Sequence, residues 1–268
     1  MSPLNALKTT RRAFLAACCA VLLTSLSGAN AAHAAESVSI AAAADLTYCL
    51  EDINAAFKKA HPGAELKVSS GSSGNFATQI KNGAPFEVFL SADASFPKEL
   101  IKAGLADEST FSIYAIGKIV LWTSTPDKVD VTKGFDLLKD PNGPVKKLAV
   151  ANPDHAPYGR AAKEALTHEK LWDAVQGRVV LGENIAQTAQ FVETGNADAG
   201  FVALSLVLSP KLSKVGKWWE VPADTYNKLE QGVVLTKAGM GNPLAKAYID
   251  FLKTDEARAI FDKYGFKK

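Results

Sequence analysis

The sequence predicts an α/β fold, and three observations carry that reading. Short apolar runs recur along the chain, each followed by a small or polar turn and then a stretch with helical spacing. Several of these runs are almost continuously apolar, as strands covered on both faces are. Two further extended apolar stretches, 116–123 and 232–236, have no helix directly behind them and read as two crossover segments between lobes.

The elements follow in order. Residues 38–42 form a buried strand that runs into a helix with Leu46, Leu50, Ile53 and Phe57 at helical spacing, stopped by His61-Pro62-Gly63. Leu66-Lys67-Val68 alternates, and Ser69-Ser70-Gly71-Ser72-Ser73-Gly74 turns into a helix carrying Phe76 and Ile80. Residues 87–90 are the third strand, and Asp93 opens the next helix. Further along, 148–151 leads through Asn152-Pro153 and Ala156-Pro157-Tyr158-Gly159 into a helix from about Arg160. Residues 179–181 lead through Glu183-Asn184 into a helix with Ile185, Ala189 and Val192, and 200–204 is another continuous strand. No internal repeat and no low-complexity tract interrupts the pattern.

The N-terminus reads differently. Lys8, Arg11 and Arg12 precede an apolar run from Ala13 to about Leu26, and small residues then end in Ala32-His33-Ala34. A basic region, a short apolar core and an A-x-A site make a secretory signal peptide, with cleavage expected after Ala34. The run is shorter than the ~20 residues that span a bilayer. Thr10-Arg11-Arg12-Ala13-Phe14-Leu15 resembles a twin-arginine signal. Leu15-Ala16-Ala17-Cys18 resembles a lipoprotein site, but most of the apolar run lies after Cys18.

Removing residues 1–34 leaves 234 residues, enough for one large domain or two modest lobes. It also removes three of the 30 basic residues and none of the 28 acidic ones, so 27 − 28 gives a net charge of −1 and no nucleic-acid surface is implied. Cys18 and Cys19 leave with the signal. Cys49 then stands alone, without a disulfide partner, on an apolar helical face that makes it a core residue. His61, His155 and His168 lack metal-ligand spacing. There is no Walker sequence, and Gly239-Met240-Gly241-Asn242-Pro243 has the wrong spacing for a dinucleotide fingerprint. Trp218-Trp219 reads as a partly buried core pair rather than a binding surface.

The chemistry sits at the strand-to-helix turns. Open α/β sheets bind ligands beyond the carboxyl ends of their strands, where helix N-termini present free N–H groups and about half a positive charge. Four turns have small or hydroxyl-bearing residues: Ala44-Asp45, Ser72-Ser73-Gly74, Pro157-Tyr158-Gly159 and Asn184-Ile185. Two lie in each half of the chain, so two lobes would set them facing each other across a cleft. Any one of them alone is an ordinary N-cap.

Together the turns are more specific. Ser69-Ser70-Gly71-Ser72-Ser73-Gly74, with Ala77-Thr78-Gln79-Ile80 and Asn82-Gly83-Ala84-Pro85-Phe86-Glu87-Val88-Phe89-Leu90-Ser91-Ala92-Asp93 after it, closely resembles the periplasmic molybdate-binding proteins of ABC transporters. So do Tyr114-Ala115-Ile116-Gly117-Lys118-Ile119-Val120-Leu121-Trp122, Ala151-Asn152-Pro153 with Ala156-Pro157-Tyr158-Gly159, Ala199-Gly200-Phe201-Val202-Ala203-Leu204 and the terminal Ile260-Phe261-Asp262-Lys263-Tyr264-Gly265-Phe266. The resemblance covers essentially the whole chain after the signal. It implies a two-lobed periplasmic-binding-protein fold of the type II kind, with two crossovers and the ligand in the interlobe cleft. Lobe 1 would hold 35–116 and 233–268, and lobe 2 would hold 117–232. The implied function is that of a periplasmic solute-binding protein, a monomer and not an enzyme, which delivers molybdate or tungstate to a membrane permease. No cofactor is implied, and molybdenum would be bound only as the oxyanion, not as a free metal cation.

The resemblance also implies the ligand set: Ala44, Asp45, Ser73, Tyr158 and Ile185. Ser73 would donate hydroxyl and amide hydrogens, Tyr158 its phenol or amide, and Ile185 its backbone N–H. Ala203 would be wall rather than donor. One position departs from the pattern, because relatives commonly have Ser, Thr or Asn where this chain has Asp45. An ionised Asp45 ~4 Å from a dianion would repel it by several kcal/mol at an effective dielectric of ~20. The expectation is that Asp45 turns away to cap its helix while its backbone N–H binds; the other reading is that its carboxylate takes a proton from a protonated oxyanion or a bound water. Other ligands consistent with the pattern are sulfate and phosphate, although no Arg stands at a matched position and Arg160 lies one residue past Gly159. A more distant alternative is an α/β hydrolase, against which Gly71-Ser72-Ser73-Gly74 has the wrong spacing for a nucleophile elbow.

Overall fold

Strand pairing divides the chain into two similarly built halves. The computed structural model describes residues 37–267; the expected leader at 1–34, with its twin-arginine-like and lipoprotein-like stretches, lies outside them. Along the first part run β1 (Ser37–Ala43), α1 (Cys49–Ala60), β2 (Glu65–Gly71), α2 (Ser73–Lys81), β3 (Val88–Ser91), α3 (Ser95–Lys102) and the long β4 (Ala106–Gly117). The middle part holds β5 (Ile119–Thr123), α4 (Asp136–Lys139), β6 (Leu148–Ala151), α5 (Pro157–His168), α6 (Trp172–Val175) and β7 (Val179–Gly182). It continues with α7 (Ile185–Glu193), β8 (Ala199–Ala203), α8 (Leu204–Val207) and β9 (Lys217–Glu220). Then come β10 (Leu229–Thr236), α9 (Pro243–Phe251) and α10 (Asp255–Lys263).

The first sheet has the order β2-β1-β3-β10-β4 and the second β7-β6-β8-β5-β9. In each, the first three strands run parallel, the fourth is antiparallel to both its neighbours, and the fifth therefore runs with the first three. The fourth position of each sheet is filled by a strand arriving from the other half, β10 in the first and β5 in the second. The chain therefore passes between sheets twice. The outward passage is at Lys118, inside the expected 116–123 stretch. The return does not lie at 232–236, because Gly232, Val233, Val234 and Leu235 pair with β3 inside the first sheet; it lies at 221–228, before β10 begins. The apolar character of 232–236 reflects burial in the middle of a sheet.

Alternation explains how both faces of the first sheet are covered. Val38, Ile40 and Ala42 of β1 pack into a core with Leu50, Ile53 and Phe57 of α1 and Tyr248 and Ile249 of α9. Ala41 of the same strand points the other way, with Phe89 and Val234, onto Phe76 and Ile80 of α2 and Leu100 of α3. The second sheet buries Trp122, Phe201, Val150 and Leu166 in its own core. Cys49 is buried, and burial pushes its thiol well above the usual range, as a core residue requires. The tryptophan pair is split. Trp219 stacks edge-on against Phe135 at 5.2 Å between centroids, while Trp218 is exposed on β9.

Three element boundaries differ from the sequence expectation, each for a local reason. β2 runs on through Ser69-Ser70-Gly71, because its pairing with β1 continues to Ala43–Gly71. Leu46 sits in a separate 3-10 turn, Ala44–Leu46, before α1 starts at Cys49. α5 starts at Pro157, three residues ahead of Arg160; a proline suits a first turn, where no N–H is needed.

The start of α5 is seated directly on the end of β6. A Cβ on Gly159 would lie 2.0 Å from the Ala151 carbonyl oxygen. Gly159→Ala is therefore expected to lose roughly 2 kcal/mol or more through overpacking against rigid backbone, lowering Tm on the order of 5 °C for a chain of this size. Gly177→Ala, where a Cβ meets nothing within 4 Å, should stay within about 0.5 kcal/mol. Urea denaturation of both variants checks this, and equal stability of the two would refute the seating argument.

Candidate functional site

Four chain segments leave the carboxyl ends of their strands and converge. Ala43, Ala44 and Asp45 follow β1, and Gly71, Ser72 and Ser73 follow β2. Ala156, Pro157 and Tyr158 begin α5, and Asn184 and Ile185 begin α7. With Ala92 beyond β3, these residues line one small cavity of about 10 Å³, room for little more than a single water. All five positions anticipated from sequence, Ala44, Asp45, Ser73, Tyr158 and Ile185, are in that lining, two from the first half's turns opposite two from the second's. Ala203, expected as wall, is not among the lining residues. A larger groove of about 430 Å³ is lined by Thr47, Tyr48, Gln187 and Lys211. The small cavity is where the helix starts gather.

The lining offers N–H groups without cations. Ser73, Tyr158 and Ile185 are the first or second residues of α2, α5 and α7, so their amides have no carbonyl one turn back to bond. Asn184 caps α7 by accepting from the amides of Ala186 and Gln187, which leaves that of Ile185 outside the cap. Ser73 Oγ is fully buried and accepts from the Ala92 amide at 2.9 Å, so its own proton remains for another acceptor. No Lys or Arg lines the cavity. Positive potential there comes from helix ends.

Asp45 does not cap. The 3-10 turn it lies in has no side-chain cap bond. Asp45 Oδ2 instead accepts from Tyr158 Oη at 2.9 Å and from Gln231 Nε2. Gln231 Nε2 also donates to Tyr158 Oη at 3.0 Å, and Tyr114 Oη donates to Gln231 Oε1 at 2.7 Å. Ser205 Oγ donates to the Asp45 carbonyl at 2.7 Å. The phenol of Tyr158 is thus committed to this buried knot, and of its two expected donors the amide is the one still available. A Cβ on Gly117, at the end of β4, would lie 2.2 Å from Tyr158 Oη, so the knot also fixes a glycine at the outward passage. Burial pushes the Asp45 carboxyl up to about 6, against the pull of the Gln231 and Tyr158 hydrogen bonds and of the Asp45 and Leu46 amides. Burial, with the Asp45 charge second, holds the Tyr158 phenol well above its usual range, so it stays a neutral donor.

Other bonds tie the halves together around the cavity's rim. Gly74 N–H donates to the His155 carbonyl at 3.0 Å, and Ser72 Oγ donates to the same oxygen. Asn75 Nδ2 donates to Glu183 at 2.6 Å. Arg160 pairs with Asp93 across the halves; burial opposes it, but the Arg160 and Ser95 hydrogen bonds hold the Asp93 carboxyl below its usual range. Gln231, Ala92, His155 and Asp93 were not anticipated as part of this neighbourhood, whereas Ser72 stood in one of the four expected turns. No sequence signal marks Gln231, which sits inside an apolar strand; Ala92 and Asp93 at least stood in a motif already singled out.

Ser72, His155 and Glu183 come close enough to resemble a hydrolytic arrangement, with Ser72 Oγ 3.0 Å from His155 Nδ1 and His155 Nε2 3.7 Å from Glu183. The single hydroxyl proton of Ser72 is given to a carbonyl, so Nδ1 meets that oxygen as a donor and not as a base. Among the described residues no group of three or more His, Cys, Asp or Glu is placed to hold a metal ion, and no helix is long and apolar enough to cross a membrane.

Comparison with known proteins agrees with this geometry. Residues 38–267 match the family described as bacterial extracellular solute-binding protein. The molybdate-binding protein ModA of Azotobacter vinelandii is 43% identical over 238 residues, covering 89% of this chain and 92% of that protein. The protein of the same name from Rhodobacter capsulatus is 43% identical over 233 residues, 87% of this chain and 89% of its own length. Among solved structures, the Azotobacter vinelandii periplasmic molybdate-binding protein superposes with a TM-score of 0.80 at 34% identity, over 86% of this chain and 99% of that one. The likeness spans both sheets and every turn that lines the cavity, and this chain accordingly belongs to the bacterial extracellular solute-binding protein family.

Proposed function

We propose that this chain is the periplasmic binding component of an ABC importer and that its ligand is molybdate or tungstate. The observation that carries the reading is the convergence of four strand-to-helix turns, three of them helix starts with unbonded amides, on one small cavity with no basic side chain in its lining. Such a lining suits a compact oxyanion that needs many N–H and O–H donors and no proton of its own. Two relatives at 43% identity carry the name of molybdate-binding proteins, which favours that ion over others of the same shape. Ser73 would donate its hydroxyl and amide, Tyr158 and Ile185 their amides, and the turn at Ala44 and Asp45 its backbone N–H groups.

In this reading the two sheets with their helices are the lobes, 37–117 with 229–267 facing 118–228, joined by the passages at Lys118 and 221–228. The chain works as a monomer after loss of residues 1–34, partners a membrane permease, and carries out no chemistry on what it binds. Phosphate recognition through Arg160 finds no support, because that guanidinium is taken by Asp93.

Two measurements test the reading. Calorimetry on ligand-stripped protein should give molybdate and tungstate far tighter binding than sulfate or phosphate, and equal or tighter sulfate binding would overturn it. Ser73→Ala removes a hydrogen bond to a charged group, worth roughly 1.5–3 kcal/mol, so molybdate affinity should fall about tenfold or more. Ser73 also holds the Ala92 amide, so circular dichroism and a melt must accompany the titration. Unchanged affinity in a folded Ser73→Ala variant would place the site elsewhere.

A further inference from the structure

Asp45, one of the residues that line the cavity, has a buried carboxylate oxygen that no side-chain donor reaches. Asp45 Oδ2 takes the bonds from Tyr158 and Gln231, and Oδ1 takes none. Among the described residues only three buried side-chain polar atoms are in this condition, and Oδ1 is the only carboxylate oxygen of the three. Asp45 is 1% exposed and lines the cavity. An ionised carboxylate on a residue that lines the cavity would repel a doubly charged ligand, and only the neutral Tyr158 and Gln231 donors and the Asp45 and Leu46 amides offset it. Tyr158 from α5, Tyr114 from β4 and Cys49 from α1 are neutral groups whose protons are held by burial and by the Asp45 charge itself. Gln231 from β10 and Ser205 from α8 carry no charge. On the other elements packed against the Ala44–Leu46 turn, Glu193 of α7 pairs with Lys211 at the surface, and Glu65 of β2 pairs with Lys67 in solvent. No cation compensates Asp45.

A neutral acid resolves the conflict and satisfies the orphan atom at once. We propose that Asp45 meets the oxyanion as a carboxylic acid, with its proton on Oδ1 donated to a ligand oxygen, so that each dianion enters together with one proton from solvent. Oδ2 keeps the Tyr158 and Gln231 bonds in either state; only Oδ1 changes from acceptor to donor, and no covalent bond beyond the O–H forms or breaks. Burial has already moved this carboxyl up to about 6, and a like charge beside it moves it further in the same direction. The proposal rests on the oxyanion reading and adds to it a pH dependence that reading does not require.

The sign follows from linkage. The bound state holds more protons than the free state wherever the pH lies between the carboxyl's value in the free protein, about 6, and its higher value in the complex. Affinity then weakens as pH rises through that window, approaching tenfold per pH unit, and is level below it. The test is calorimetry of the wild-type protein with molybdate from about pH 6 to pH 8, where the free ion is a dianion throughout, in buffers of differing ionisation heat. About one proton should be taken up per ion in the upper part of the range, with Kd rising accordingly. Asp45→Asn should bind with no uptake and a flat profile. His155 at the rim is the rival proton carrier, because histidine is the residue type that ordinarily changes charge in this range, so His155→Gln should retain the wild-type uptake. Wild-type binding with a flat profile and no uptake would overturn the proposal without any variant, and so would uptake that survives Asp45→Asn or disappears in His155→Gln. Failure of molybdate and tungstate to bind at any pH would remove the oxyanion reading itself.

Discussion

Holding a doubly charged ion among uncharged groups requires dipoles from separate parts of the chain to meet at one point. Water solvates such an ion strongly, and a dry cavity repays that loss only if many donors are fixed in place beforehand. Helix N-termini supply both the N–H groups and the favourable potential. One helix start offers two or three amides, so several are needed, and no single α/β unit can turn them all inward. Two sheets with matching order, set so that the carboxyl ends of their strands approach each other, solve the problem by repetition.

That arrangement dictates the small residues around it. Backbone must come close to backbone, and side chains are the obstacle. Gly74 meets the His155 carbonyl from the opposite half, with only 2.7 Å available for a Cβ. Gly159 lets α5 sit on the end of β6, and Gly117 leaves room for the Tyr158 phenol and Gln231. The alanines at 43, 44, 92 and 156 line the cavity without filling it. In the proposed function specificity would depend on how near the amides can come, and Ile185 could then serve a polar site through its backbone with an apolar side chain.

Much of this was legible in the sequence, and the exceptions have physical causes. Alternation and helical spacing located the strands at 38–42, 148–151 and 200–204 and the turns that follow them, because burial on one face or two leaves a direct mark on residue type. The four turns were legible as a set, since each combines a strand end with a cap. What sequence could not place was contact between distant positions. The apolar run at 232–236 is extended and lacks a following helix whether it is a crossover or an interior strand; only its pairing with β3 decides. Asp45 beside a helix start has the local signature of an N-cap, and its actual partners lie 113 and 186 residues away. Gln231 lies within a strand otherwise read as apolar, so nothing local marks it as the residue that joins Tyr114, Tyr158 and Asp45.

The knot around Asp45 connects the site to the relation between the halves. Asp45 belongs to the first half, Tyr158 to the second, and Gln231 to the strand that follows the return passage. Parting the halves would break the Tyr158 bond and let water reach the carboxylate, returning it toward its ordinary value of 3.8 from about 6. Each pH unit of that difference corresponds to 1.36 kcal/mol, so bringing the halves together over an ionised Asp45 costs about 3 kcal/mol at neutral pH. That cost shrinks as pH falls from about 6 and is gone below 3.8, and a bound oxyanion would offset it with amide and hydroxyl bonds. If the oxyanion proposal holds, an ionised Asp45 would therefore oppose closure over an empty cavity in the same place where the proposed ligand binds.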